Sequence, residues 1–305
     1  MNDLSEQIVD KMNLIHGAHP KVRAVHAKGL CCKGVFTPTP GAAALTVAPH
    51  FQGPEIPVTV RFSNGSGRPT RADGARDERG MAVKFHLPNR GSTDIVSLTL
   101  PVFFVKTPEA FVEYLDAQRP DPETGKTDME QIKAFVDAHP EAQTAIGYLM
   151  FSMSPASYAG CTFHAIHAFR WTGPDGTARF LRYHWVPDTA DESLTDEQTR
   201  ALGKDYLRAD LERRLDEGPI EFKLQVQIAT DEDDTTDPTV PWPEGRQVVN
   251  VGRMTLTDFV GFECDPMIFD PTNVVDGIEC SEDKILHTRA GAYGVSFTRR
   301  TASVP

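Results

Sequence analysis

What most limits how this chain can fold is the recurrence of short runs rich in β-branched and aromatic residues, each closed off by glycine, proline or aspartate. Between residues 29 and 106 these runs are GVF, PVTVRFSN, GMAVKFHL and TDIVSLTLPVFFV, and their composition and punctuation predict strands. A second block follows a helical interlude: HAIHAFRW and ARFLRYHWVP flank TGPDG as a hairpin, and EFKLQVQIAT and RQVVNVGRMTL predict two more strands. So many strands laid out as an open sheet would expose unpaired edges. A closed or nearly closed antiparallel barrel, over about residues 29–260, removes them.

Helices surround this barrel. Leu4, Ile8, Met12 and Ile15 recur at helical spacing, with Gly17 and Pro20 as stops, so residues 3–15 are predicted to form an amphipathic helix. Residues 107–151 return to helical spacing, and DEQTRALGKDYLRADLERRLDEG has the same periodicity. The segment SEDKILHTRAGAYGVSFTRR opens on Ser281 with acidic residues close behind, in the manner of a helix cap, and predicts a last helix at about 281–298. No linker or repeat divides the chain, although DEDDTTDPTVPWPEG is an acidic, proline-bearing loop. The expected class is α+β: an antiparallel β-barrel core with surrounding helices, in one domain over residues 1–305.

Composition narrows the partners. The chain has 305 residues and a net charge of -12, from 43 acidic against 31 basic groups. Such a surface repels nucleic acid and acidic membrane alike. No stretch reaches membrane-spanning length, and the N-terminus lacks the basic start and apolar run of a secretory signal. The five cysteines are odd in number and scattered, which argues against a disulfide framework or a zinc ribbon and makes a reducing cytoplasm the expected location. Adjacent Cys31 and Cys32 face apart in a strand and are read as small buried hydrophobes.

Several segments bear on chemistry. SNGSGRP is glycine-rich but lacks the ending and strand-to-helix setting of a phosphate loop, so it is read as a turn. CTFHAIH sets Cys161, His164 and His167 three apart, a metal-ligand spacing on a helix; in a strand successive members face opposite ways, which disfavours a metal site. RAVHAKG places His26 between Arg23 and Lys28, and RAGAY places Arg289 one helical turn before Tyr293. On residue type and spacing alone, His26 is equally a hydrogen-bonded structural histidine, and the Arg–Tyr pair a surface contact.

Four collinear motifs add a family. RAVHAKG resembles the distal-histidine motif of haem catalases; VRFSNGSGRPTRADGARDERGMAVKF resembles the stretch that follows it there, and PVFFVKTPEAF their next segment. VVDGIECSEDKILHTRAGAYGVSFTRR resembles their proximal-tyrosine helix. The likeness is nearest to the short catalase-related peroxidases, since the helical and flavodoxin-like extensions of larger catalases have no counterpart. The resemblance implies haem b (iron protoporphyrin IX) as cofactor, Tyr293 as the axial phenolate ligand to iron, and Arg289 as a cation favouring that phenolate. It makes His26 the catalytic acid–base that moves the peroxide proton, with Ser63 orienting it and Val25 against the haem edge. Arg23, Arg61 and Arg300 match residues that hold the propionates. Phe103 and Phe111 match the apolar lining of the distal pocket, and are equally ordinary core.

One departure bears on activity. Catalases carry an asparagine pair before the proline of the PVFF-like segment, and the first asparagine is a second distal hydrogen-bonding group; here that position is Leu98, with Thr99 beside it as a substitute donor. An apolar distal wall impairs orientation of a second hydrogen peroxide and favours organic hydroperoxides. The implied activity is a peroxidase acting on organic hydroperoxides and hydrogen peroxide through a ferryl intermediate, with a reducing co-substrate and weak dismutation at most. The alternatives are a true catalase, a fatty-acid hydroperoxide isomerase, a non-catalytic haem-binding protein and a haem-free barrel binding module. A monomer or homodimer is expected.

Overall fold

A computed structural model describes residues 3–88, 91–190 and 192–302. Helix α1 (Leu4–His16) precedes β1 (Gly29–Pro38), β2 (Ile56–Asn64), β3 (Arg79–Leu87) and β4 (Gly91–Leu98). Helices α2 (Pro108–Ala117), α3 (Met129–Ala138) and α4 (Gln143–Phe151) follow. Then come β5 (Ser154–Pro155), β6 (Phe163–His164), β7 (Phe169–Thr172), β8 (Ala178–Pro187) and β9 (Ser193–Leu194). The chain continues through α5 (Asp196–Leu202), α6 (Tyr206–Glu217), β10 (Ile220–Ile228), β11 (Val248–Gly261), β12 (Ile278–Cys280) and α7 (Lys284–Thr301).

Eight strands run antiparallel in the order β1-β2-β3-β4-β6-β8-β10-β11, and β11 pairs back onto β1. The barrel is therefore closed. Strands β7 and β12 extend it from the edge of β8, and β5 pairs with β9 apart from it.

Strand alternation sorts the residues into two sets. Val58, Val60 and Phe62 of β2 and Met81, Val83 and Phe85 of β3 point into the barrel, where they meet Phe36, Phe163, Phe222 and Trp185. The interior is filled by rings: Phe36 lies edge-on to Phe85 at 5.2 Å and to Trp185 at 6.2 Å. At about 2–3 kcal/mol for each fully buried large apolar side chain, this core is the main source of stability. Arg61 and Ser63 of β2, Gly80 and Ala82 of β3, and Val96 and Leu98 of β4 alternate with that set and line a cavity on the outer face. Helices α1 and α7 cover this face, with Ile8, Val9 and Ile15 packed among Ala292 and Leu115.

Four local expectations are corrected. HAIHAFRW is not one continuous strand: β6 ends at His164, Ile166 takes a φ of 45°, and the chain resumes as β7 at Phe169, both pieces pairing antiparallel with β8 on either side of the break. The charged helical segment breaks at Gly203, whose φ of 87° separates α5 from α6. Helix α7 is capped by Asp283, not by Ser281: its carboxylate accepts from the amides of Ile285 and Leu286. Finally, Cys31 is not a free hydrophobe but forms a disulfide with Cys264, with Cα atoms 5.8 Å apart. The turn after β11, beginning at Gly261 (φ 61°), brings Cys264 over β1. A partner 233 residues away leaves no spacing signal. Cys32 remains free and buried, as read.

Candidate active site on the outer face of the barrel

His26 lies in the segment between α1 and β1 and has a φ of 53°, a left-handed conformation unusual for a residue with a side chain. Two amide bonds impose it, from His26 N to Gly65 O at 2.9 Å and from Ala27 N to Ser66 O at 3.0 Å. The ring then lies against β3, where a Cβ on Gly80 would stand only 3.0 Å from Nδ1. Nδ1 is hydrogen-bonded to Ser63 Oγ at 3.1 Å, which leaves Nε2 free of protein partners among the described residues. Burial, helped by the cations Arg61, Arg289 and Arg23, lowers the imidazole pKa to about 3. The ring is neutral at physiological pH and able to accept a proton.

Tyr293 sits in the middle of α7, one turn beyond Arg289. Arg289 Nη2 donates to Tyr293 Oη at 2.7 Å, and Nη1 meets His167 Nε2 at 2.8 Å. Since a guanidinium only donates, Nε2 is the acceptor, and the proton of His167 is on Nδ1. Nδ1 donates to Asp283 Oδ2 at 2.6 Å, while Oδ1 accepts from Ile285 N. His167 and Asp283 are each 1% exposed, and burial lowers the His167 pKa against the pull of Asp283. A line of three side chains, Arg289, His167 and Asp283, thus fixes the phenol from behind. His167 had appeared in the sequence only as a metal-ligand candidate and Asp283 only near a helix start. Cys161, His164 and His167 do not converge: Cys161 Sγ donates to Ser157 O, and His164 faces His184 at 2.8 Å.

Three arginines gather at the opposite end of the cavity. Arg23 Nη1 donates to Asp265 Oδ1 at 3.0 Å, Arg61 Nε to the same oxygen at 3.4 Å, and Arg23 and Arg300 both reach Met267 O, at 2.9 and 2.8 Å. Asp265, beside the disulfide, is the one carboxylate bonded within this group among the described residues, and it pairs with Arg23 and Arg61 but not Arg300. Two positive charges are left over, and Arg300 Nε is buried with no hydrogen-bond partner among the described residues. Burial, then neighbouring Arg23, brings Arg61 down to about 9 and Arg300 to about 10, so both stay charged. Buried surplus cations on this scale call for a polyanionic ligand. The two propionates of a haem fit that demand, as a phenol backed by a guanidinium fits ferric iron.

The walls between these ends are apolar. Val25 and Leu98 border both halves of the cavity together with His26 and Tyr293. Phe103 and Phe111, with ring centroids 5.3 Å apart, line the half that leads outward past Leu98. Thr99 is turned elsewhere: it borders a separate cavity and its Oγ1 accepts from Arg79 N at 3.0 Å. It is no replacement for a donor at Leu98. Glu78, which sequence reasoning did not single out, lines the outward half with Asp77, and burial followed by that neighbour's charge pushes its carboxyl up to about 8.

Solved structures sharing this barrel and its helices are catalases. A fungal catalase superposes with a TM-score of 0.85 and 26% identity, covering 96% of this chain and 62% of that one. Catalase A from Saccharomyces cerevisiae gives 0.85 and 25%, covering 96% and 64%. The architecture is that of a catalase-fold enzyme. The family model described as catalase matches residues 5–303. A catalase-related peroxidase of Mycolicibacterium paratuberculosis is 41% identical over 97% of this chain and 94% of its own length, and one of Synechococcus elongatus 34% over 97% and 88%. Against Catalase-2 of Bacillus subtilis, 33% identical, the chain spans about half the relative, 46%. The chain belongs to the catalase family, with relatives of nearly its own length among the catalase-related peroxidases.

Proposed function

We propose that this single domain is a haem-dependent peroxidase that reduces organic hydroperoxides and hydrogen peroxide with electrons from an external donor, and dismutates hydrogen peroxide weakly at most. The observation that carries the reading is the opposition, across one cavity, of His26 held by Ser63 and Tyr293 held by the Arg289–His167–Asp283 line. Tyr293 would ligate the iron of haem b, Arg23, Arg61 and Arg300 would hold its carboxylates, and Val25 would flank its edge. Bound haem supplies the centre that takes up the oxidising equivalents of the O–O bond and passes them to the donor.

The chain's own residues handle the proton. Neutral His26, its Nδ1 held by Ser63, takes the hydroperoxide proton on Nε2 and returns it to the oxygen that leaves as water or alcohol. Phe103 and Phe111 keep bulk water from the reacting oxygens. Leu98, 5% exposed and beside His26, offers a second peroxide no hydrogen bond. That supports peroxidase over catalase.

The test is the visible spectrum and turnover of haem-loaded protein beside a Tyr293→Phe variant. The reading expects ferric high-spin absorption that the variant loses, and donor oxidation by an alkyl hydroperoxide with little oxygen release. Steady oxygen release without a donor would make it a true catalase, and a rearranged epoxide product an isomerase. Loaded protein without turnover would be a haem carrier, and failure to take up haem would overturn every haem reading.

A further inference from the structure

The loop preceding β3 brings two carboxyls to the cavity of His26. A Cβ on Gly65 would stand 2.2 Å from Glu78 Oε1 and 2.7 Å from Asp77 Oδ1, so the two groups meet over Gly65 in space that only glycine leaves open. Gly65 is tied to both sides: its carbonyl accepts the His26 amide at 2.9 Å and its amide donates to Glu78 O at 2.9 Å. Alternation places the Glu78 side chain on the face of Gly80, which carries the His26 ring and pairs in register with Leu98. Glu78, His26 and Leu98 accordingly border the same space.

The carboxyls differ in their partners. Asp77 Oδ2 accepts from Ser66 N at 2.9 Å and lies 3.9 Å from Arg71 Nε, which suits an anion. Arg79, although adjacent, spends its guanidinium on the carbonyls of Asp77, Glu78, Asp73 and Ala75. The other titratable groups around this space are Arg71 and Arg76 of the same loop, His16 of α1, Tyr114 of α2, His26, and Arg289 and Tyr293 of α7. When two carboxyls share a buried site, one ionises and the other keeps its proton.

We propose that Glu78, paired with Asp77 over Gly65, is a second proton donor of the His26 cavity, serving the outer oxygen of a bound hydroperoxide in place of the hydrogen-bonding side chain that Leu98 lacks. This rests on the peroxidase reading above. In the step, His26 takes the proton of the inner oxygen, the O–O bond breaks, and the outer oxygen leaves as alcohol or water with the bond pair and the proton of Glu78, which replaces direct return of the proton from His26. The proton on His26 then restores Glu78. Cleavage itself uses no net proton; the inner oxygen, which bound haem would hold, is released as water once the external donor has supplied two electrons and the donor or solvent two protons.

Two measurements test this. Infrared titration of haem-free protein is expected to show a protonated-carboxyl band at pH 7 that fades as pH rises through about 8 and is missing in Glu78→Gln. Its absence from the wild-type protein at pH 7 would overturn the proposal without any variant. In stopped-flow mixing of haem-loaded protein with an alkyl hydroperoxide, Glu78→Gln should cleave the peroxide about 100-fold more slowly, with an unchanged resting spectrum and no alkaline loss of rate. Glu78→Asp should recover part of the rate and the alkaline limb. A Glu78→Gln variant as fast as wild type, or with the same alkaline limb, sinks the idea. If wild-type protein loaded with haem cleaves no hydroperoxide, the peroxidase reading falls and this proposal with it, and the infrared band tells that failure from a misassigned proton.

Discussion

Position 26 shows how much a single residue's chemistry depends on its neighbours' size and charge. The ring is neutral because it is buried beside three guanidiniums, and it is buried because position 80 has no side chain. Leu98 completes the same wall, which makes it the most informative single substitution. Leu98→Asn returns an amide to the cavity, and one hydrogen bond to a reacting oxygen is worth about 1.5 kcal/mol. Oxygen release from hydrogen peroxide should rise by about tenfold, measured with an oxygen electrode, while alkyl hydroperoxide turnover changes less. His26, Tyr293, Arg289 and the three arginines were singled out by the resemblance of their motifs to those of catalases, since their local patterns alone are equally those of structural residues. Glu78 was overlooked inside RDERG, where four charges in a row look like a solvated turn. Only the proximity to Gly65, which no local pattern encodes, reveals its carboxyl as a cavity group.

At the scale of elements, α7 holds Tyr293 in place largely through its first turn. Asp283 has two roles, capping Ile285 and Leu286 with one oxygen and accepting from His167 with the other. The two separate by mutation. Asp283→Asn retains a good cap and should cost under about 1 kcal/mol, whereas Asp283→Ala loses the cap and leaves His167 unpaired, costing about 2–3 kcal/mol in denaturant unfolding. Both variants should alter the visible spectrum of haem-loaded protein, since both weaken the anchor behind Arg289. The strands and helices with strong periodicity were legible in the sequence. The breaks were not: Ile166 at φ 45° turns His167 out of a run that reads as continuous strand, and toward α7. The aspartate and arginine that His167 meets there come more than a hundred residues later, so no local pattern announces the turn.

Over the whole molecule, two features govern stability. The disulfide joins β1 to the loop that carries Asp265 and the Met267 carbonyl, across 233 residues. A loop that long is stabilised by up to about 5 kcal/mol through the entropy of the unfolded chain, so Cys31→Ser should lower unfolding free energy by several kcal/mol, and a reductant should do the same to the wild type. The second is a set of buried neutral imidazoles. His26, His50 and His164 are lowered to about 3 and His16 and His184 to about 4, in each case mainly by burial. Unfolded, they bind protons near 6.5, so their contribution is intact above that pH and is lost as pH falls toward 4 and then 3. Glu78 and Asp94, whose pKa values are raised, work in the opposite direction but are fewer. Denaturant midpoints of haem-free protein should therefore fall steadily from pH 7 to pH 5, and a flat profile would contradict the burial of these rings. Barrel closure was legible in the number of strands, whereas the cross-link was not, because its second cysteine is placed by a turn at the far end of β11.

The position of the cavity also has a consequence in time. One side comes from the segment just before the first strand and the other from the last helix, while the barrel between them is filled with its own aromatic side chains. During folding, His26 waits for its counterpart Tyr293 until α7 has packed back over the outer face of the barrel. The cavity does not exist on the barrel alone, so on the proposed reading a cofactor would be taken up only once α7 has docked and brought Arg300 to Arg23 and Arg61.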